Sequence, residues 1–312
     1  MPNQHPPSPP GNDIPFDRTF TAATDKVERL TPLVRRLVAG NAGPFTFTGT
    51  CSYIVGQGAV AIIDPGPADD THIAALIAAV RDETVAHIVV THTHRDHSPA
   101  AAAIKAATGA EITGCAPYRR SAASRGDGLD PLGAANDQDY VPDRVLRDGD
   151  RIEGGDYTLT AVATPGHAAN HLAFSLPEES ALFSGDHVMA WSTSVVAPPD
   201  GSMADYMASL EKLRERSETI YWPGHGGPVR EPRRFVRALI HHRRQREASI
   251  LARIEAGDRD IPTIVARTYE GLNPALAGAA GLSVLAHIED LVARGLVTSD
   301  RTPSLSARYA PA

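Results

Sequence analysis

Directly after the apolar run Ile88-Val89-Val90 the chain reads Thr91-His92-Thr93-His94-Arg95-Asp96-His97. Four potential metal ligands, His92, His94, Asp96 and His97, stand within six residues, where a strand pattern opens into a loop. Imidazole and carboxylate at this density suit zinc or a similar borderline divalent cation. Alone, such a segment is compatible with a solvated polar loop, but three others repeat its placement. Thr164-Pro165-Gly166-His167 follows the strand pattern Tyr157–Ala163, Ser184-Gly185-Asp186-His187 follows Ala181–Phe183, and Pro223-Gly224-His225-Gly226 follows Tyr221-Trp222. Each time a strand ends, a glycine permits a sharp turn, and a His or Asp is presented at the strand tip. Ligand residues at four strand tips point to one shared sheet edge.

The elements that must carry those tips are legible from periodicity. Tyr53–Val55, Ala59–Ile63 and His87–Val90 read as strands, and Ile73, Leu76, Ile77 and Val80 give residues 70–83 a helical spacing. A helix is expected over Ser98–Thr108, a strand over Ala110–Gly114, further strands over Leu172–Leu176 and Ala181–Ser184, a helix over Ala204–Arg216 and a strand over Thr219–Trp222. Residues 118–140 lack periodicity and are expected to form an exposed loop able to cover a site. This order fits a layered α/β sandwich. From Arg233 onward the pattern is helical, to Ala256, over Pro262–Tyr269 and over Ala275–Arg294, followed by Leu296–Thr298 and Ser306–Tyr309, the outline of a winged-helix-like module. The expected organisation is a disordered Pro-rich tail over 1–13, a catalytic domain over 14–230 and a helical, winged-helix-like domain over 231–312.

Composition narrows the class. The 312 residues are 42% hydrophobic and 21% charged, with 26 Gly and 25 Pro, which excludes collagen-like, fibrous and wholly disordered chains. Thirty basic against 37 acidic residues give a net charge of −7, so a small-molecule substrate is favoured over nucleic acid. No apolar run is long enough to span a membrane. The N-terminus lacks the basic and apolar regions of a secretory signal, and the two cysteines, Cys51 and Cys115, read as small buried thiols, so a cytoplasmic location is expected.

The four motifs, together with Ile63-Asp64-Pro65-Gly66, resemble those of the metallo-β-lactamase-fold hydrolase superfamily over roughly residues 50–230. That resemblance implies an αββα sandwich with a binuclear site along one sheet edge and two Zn2+ per chain. It assigns His92, His94 and His167 to the first zinc and Asp96, His97 and His225 to the second. Asp186 would bridge the two, and Asp64 would be a structural carboxylate. The implied nucleophile is a metal-bridging hydroxide, with Asp96 both a ligand and its orienting residue. β-Lactamases of the superfamily lack either a His at the position of His97 or a bridging Asp; this chain has both, as glyoxalase II-like members do. Antibiotic hydrolysis is therefore not the expected role. The helical tail, with its basic start around His241-His242-Arg243-Arg244, makes the likeness greatest to the β-lactamase-like protein 2 group.

The leading expectation is a hydrolase of esters or thioesters of small acyl compounds, and the alternative is an endoribonuclease acting on single-stranded RNA. Candidate substrate contacts are His187, Trp191, Arg237, His241 and Arg244; Arg230, Arg233, Arg234, Arg237, His241 and Arg244 share one face if a helix begins near Pro232. His171, close to His167, is a candidate supporting residue.

Overall fold

A computed structural model describes residues 14–119, 135–272 and 274–312. The tail expected over 1–13, and residues 120–134 of the loop expected over 118–140, lie outside the described residues.

The first sheet has seven strands in chain order: β1 (Glu28–Arg29), β2 (Val34–Val38), β3 (Cys51–Val55), β4 (Ala59–Ile63), β5 (Thr84–Val90), β6 (Glu111–Gly114) and β7 (Arg144–Val145). Strands β4 to β7 pair in parallel, so each return needs a crossover. Two of these are helices, α1 (Asp70–Ala79) between β4 and β5 and α2 (Ala101–Thr108) between β5 and β6. Asp69 starts α1 by accepting from the backbone N–H groups of Thr71 and His72, and left-handed Gly109 ends α2. Both helices are shorter than the apolar spacing predicts, because α1 stops at Val80 in a turn and Ser98 to Ala100 still belong to the loop after β5.

The second sheet runs β13-β12-β11-β10-β9-β8, from β8 (Arg151–Glu153), β9 (Thr158–Ala163), β10 (Leu172–Leu176), β11 (Ala181–Gly185), β12 (Ile220–Pro223) and β13 (Val229–Arg230). The β11–β12 pair is parallel, and its crossover contains α3 (Met203–Arg214), capped by Ser202. The short strands β1, β2, β7, β8 and β13 went unread in the sequence; runs of two to five residues containing Arg or Glu carry little periodic signal.

The two sheets enclose a core that includes Tyr53, Phe174, Phe183 and Trp222, with Leu76 of α1 and Ile104 of α2 in the same cluster. A second cluster joins Leu182 and Tyr221 to Tyr206, Leu210 and Leu213 of α3 and to Phe235, Val236, Leu239 and Ile240 of α4 (Pro232–Glu255). Helices therefore cover both sheets, the expected αββα order. The far end of α4, α5 (Ile261–Thr268), α6 (Ala277–Ala293) and the hairpin β14 (Val297–Ser299) with β15 (Tyr309–Pro311) share a third cluster. The last strand lies later than the Ser306–Tyr309 expected. Among the described residues no helix is long and apolar enough to cross a membrane.

At one edge the sheets are tied together. Cys51 N–H donates to Gly224 O at 2.7 Å, Leu172 N–H donates to Thr91 O at 2.8 Å, and Thr50 bridges His225. These are the strand ends that carry the motifs.

Candidate metal centre

The seven residues expected as ligands converge at that edge. Donor atoms of His92, His94 and His167 lie within 4.8 Å of one another, as do those of His92, His97 and Asp186, and those of Asp96, His97 and His225. His225 Nε2 is 3.1 Å from Asp96 Oδ2 and 3.3 Å from Asp186 Oδ2, and His97 Nε2 is 3.6 Å from Asp186 Oδ1. His92, His97 and His225 are fully buried, whereas the side chains of His94 and Asp96 keep 15% and 27% exposure, so the cluster is a cleft open on that side.

The imidazoles are oriented by their far nitrogens. His92 Nδ1 donates to Thr91 Oγ1 at 2.9 Å, His97 Nδ1 to Asp64 Oδ2 at 2.9 Å, His167 Nδ1 to Val195 O at 2.6 Å and His225 Nδ1 to Gly49 O at 3.3 Å. In each ring Nε2 is the nitrogen that faces the cluster, and in the neutral form of the ring it is a lone pair. His94 is reversed: its Nδ1 stands 3.0 Å from both His92 Nε2 and His167 Nε2, while its Nε2 turns toward Asp200 Oδ2 at 3.8 Å. Asp64 anchors the loop, accepting at 2.8 Å from both the N–H and the hydroxyl of Thr91 as well as from His97. Close approach fixes Gly224: a Cβ there would lie 2.5 Å from Asp186 Oδ1 and 2.7 Å from His97 Cε1.

Among the described residues His97 Nε2, Asp186 Oδ1 and His225 Nε2 point inward and are buried without a well-directed hydrogen bond, their nearest charged neighbours being those of the cluster itself. Buried polar atoms are rarely left so, and imidazole nitrogens together with carboxylate oxygens are the donor set of a borderline divalent cation. The electrostatics agree. Burial, then the neighbouring imidazoles, hold His92 well below the ordinary range and His94 at about 3, so both are neutral. Burial works against protonated His97 and His225, but the carboxylates of Asp96 and Asp186 prevail, holding His97 well above the ordinary range and His225 at about 10. This half of the cluster demands positive charge. The residues fit a metal group.

The metallo-beta-lactamase superfamily model matches residues 45–225, and the beta-lactamase associated winged helix domain matches residues 261–304. The chain belongs to the metallo-beta-lactamase superfamily. This superfamily member is a hydrolytic enzyme. It is 32% identical over 232 residues to a beta-lactamase-like protein 2 homolog of Caenorhabditis elegans, covering 73% of this chain and 72% of that one. It is 32% identical over 232 residues to an atrochrysone carboxyl ACP thioesterase of Paecilomyces divaricatus, covering 72% of this chain and 66% of that one. A beta-lactamase domain protein from Burkholderia ambifaria has the same fold, at a TM-score of 0.78 and 21% identity over 95% of this chain and 97% of that one.

The candidate substrate contacts of this metallo-beta-lactamase superfamily member divide. Trp191 stacks on Phe47 with centroids 4.9 Å apart and planes at 9°, and its Cδ1 would lie 3.0 Å from a Cβ on Gly226, the neighbour of His225. His187 has no surface for a substrate: it is fully buried against Tyr206, ring centroids 4.5 Å apart. The basic stripe is also corrected. Arg230 sits in β13, separated from α4 by Glu231 in a left-handed conformation, so the helical face begins only at Arg233. Arg237, His241 and Arg244 are exposed on the face of α4 opposite its docking side, and Arg244 pairs with Glu211 of α3 at 2.7 Å.

His171 is a support rather than a ligand. Its Nε2 accepts from the Asp186 N–H at 3.1 Å and its Nδ1 donates to Thr164 Oγ1 at 2.8 Å. Two supports escaped sequence reasoning. Asp200 lies in an aperiodic Pro198-Pro199-Asp200-Gly201 turn that offers no local signal. Arg243 continues the apolar spacing Val236, Leu239, Ile240 along α4, and a charged residue on that face was the available clue. Of the described residues of the 118–140 loop, Arg119, Gln138 and Asp139 are exposed as expected, but Asn136 and Asp137 are buried against the loop after β5, accepting from Thr93 Oγ1 at 2.9 Å and Ser98 Oγ at 2.8 Å.

Proposed function

We propose that this chain is a binuclear zinc hydrolase of esters or thioesters of small acyl compounds, carrier-linked ones included. The observation that carries the reading is the convergence of His92, His94, Asp96, His97, His167, Asp186 and His225 with three inward atoms unpartnered. His92, His94 and His167 would hold one ion, Asp96, His97 and His225 the other, and Asp186 both. When bound, the ions supply Lewis acidity that lowers the pKa of water toward neutrality and polarises the acyl carbonyl.

The chain's own residues do the rest. Asp96, the most exposed of the seven side chains, can accept a hydrogen bond from an attacking water and orient it. Buried Asp64, Thr91 and His171 hold the ligands without reaching the cleft. No Ser or Cys nucleophile is required; burial pushes both cysteine thiols up, away from the reactive thiolate form. The Phe47–Trp191 stack, with exposed Phe45 on the same loop, gives the cleft an apolar wall suited to an acyl group. The thioesterase relative supports this substrate class. Free, buried Cys51 and Cys115 suit a reducing, cytoplasmic setting.

Zinc-loaded protein assayed in parallel against acyl thioesters, lactones, cephalosporins and single-stranded RNA, with a chelated control, tests the proposal. Chelator-sensitive thioester or ester cleavage is the expected result. Cleavage of RNA alone would move the reading to the endoribonuclease.

A further inference from the structure

We propose that Arg243, on α4 outside the residues that match the superfamily domain, is a positioning residue that holds two metal ligands in register. The inference rests on the metallohydrolase reading above. Arg243 is 3% exposed, and its Nη2 donates to Ser194 O at 2.5 Å. The next carbonyl, that of Val195, accepts from His167 Nδ1 at 2.6 Å. The Ser194 hydroxyl lies 2.5 Å from Asp186 O and 2.9 Å from His187 O, sharing one proton between them. Residues 194 and 195 thus touch both the bridging carboxylate's backbone and the nitrogen that sets the tautomer of His167.

The arginine acts on the same two loops a second way. Its guanidinium sits 5.0 Å from the centroid of the Tyr206 ring, and the Tyr206 hydroxyl donates to His187 O at 3.0 Å. The Tyr206 backbone supports the His167 turn so closely that a Cβ on Gly166 would lie 2.3 Å from Tyr206 Cα.

A guanidinium buried without a counter-ion is costly. Arg243 has no ion pair among the described residues, and its Nε has no hydrogen-bond partner. Its one strong bond is spent on the ligand loop. Without it the Ser194 carbonyl loses its anchor, the adjoining Val195–Val196 peptide, whose carbonyl accepts from His167, is held less firmly, and so is the direction of the ring's Nε2 toward His94. The C-terminal helices are coupled to the metal centre through this side chain.

The test compares Arg243→Met, Arg243→Lys and, as a control, Arg246→Met. Arg246 is on the same helix but bonds Thr268 O at 2.8 Å and lies 4.0 Å from the Tyr269 centroid. Zinc affinity by chelator competition, the ligand-field spectrum of the cobalt(II) form and the melting temperature are read for each. Arg243→Met should bind zinc roughly 10-fold to 100-fold more weakly and shift the cobalt bands, the range typical of residues that orient metal ligands. Arg243→Lys keeps the charge and one donor, so it should fall between, about threefold to tenfold weaker, and it carries the test if the methionine variant does not fold. Arg246→Met should lower the melting temperature and leave both metal readouts unchanged. Wild-type affinity and spectrum in the Arg243 variants would overturn the positioning role alone. A wild type that takes up no transition metal would overturn the metallohydrolase reading itself.

Discussion

Asp64 Oδ2 lies 2.9 Å from His97 Nδ1, so a carboxylate that never reaches the cleft decides which nitrogen of His97 does. The same carboxylate binds the N–H and hydroxyl of Thr91, and through that hydroxyl the Nδ1 of His92. One buried acid therefore sets the tautomers of two proposed ligands. In Asp64→Asn the amide N–H group would face the imidazole N–H, and His97 would turn its lone pair away from the cluster. The variant should fold and lose about 10-fold to 100-fold in zinc affinity, measurable by chelator competition. Unchanged affinity would show that the tautomer is set elsewhere.

The two aspartates of the cluster should fail differently. Asp186→Ala removes the carboxylate that approaches His97, His167 and His225, so metal content should fall at both positions. Asp96→Asn leaves the buried set intact and weakens only the ion held with His97 and His225, giving about one equivalent by elemental analysis. Both should lose at least about 100-fold in turnover, as removal of an essential oriented group does. Because ligation needs neutral imidazoles and ionised carboxylates, metal should also leave the wild type as pH falls, followed by the same analysis after dialysis across acid pH.

Gly224→Ala tests the close packing. Its Cβ would press on Asp186 Oδ1 and His97 Cε1 at the separations given above, and neither neighbour is the free end of a flexible chain. Overpacking of this kind costs about 1–3 kcal/mol, and the displaced atoms belong to the proposed ligands. Activity should fall by more than the loss of folded protein explains, which kinetics and thermal melting on one preparation would separate.

Glu289 of α6 supplies a pH dependence remote from the cleft. Burial alone raises its carboxyl from 4.5 to about 7. The folded state then holds this proton more tightly than the unfolded one, so the favourable neutral state is fully present below pH 4.5 and is lost as pH rises through about 7. Glu289→Gln should leave the melting temperature unchanged at pH 5 and raise it at pH 8. The gain should be about 1 kcal/mol, once screening at a partly exposed group is allowed for. A gain at both pH values would locate the effect in packing instead.

The segments that converge in the His and Asp cluster were legible in the sequence because their signal is local. A strand run, a glycine and a His or Asp stand within a few residues, and the backbone chemistry of a strand end needs nothing distant to produce it. That all four tips share one edge was the expectation drawn from their repeated placement, and the structure brings them together. What the sequence could not decide is the partner of a charged residue that falls on a helix's docking side. Arg237, His241 and Arg244 share one exposed face of α4 as read, whereas Arg243, one residue from Arg244, is buried and bonds to Ser194, 49 positions away. His187, adjacent to Asp186 in the turn after β11, is carried away from the cluster, and its ring packs on Tyr206. Asp200 gains its place beside His94 only through the loop that follows Trp191. The residues of the His and Asp cluster are written in short-range turn chemistry; their ring orientations, the buried supports and the contacts with the C-terminal helices depend on segments far apart in the chain, which meet only once the sheets and helices have packed.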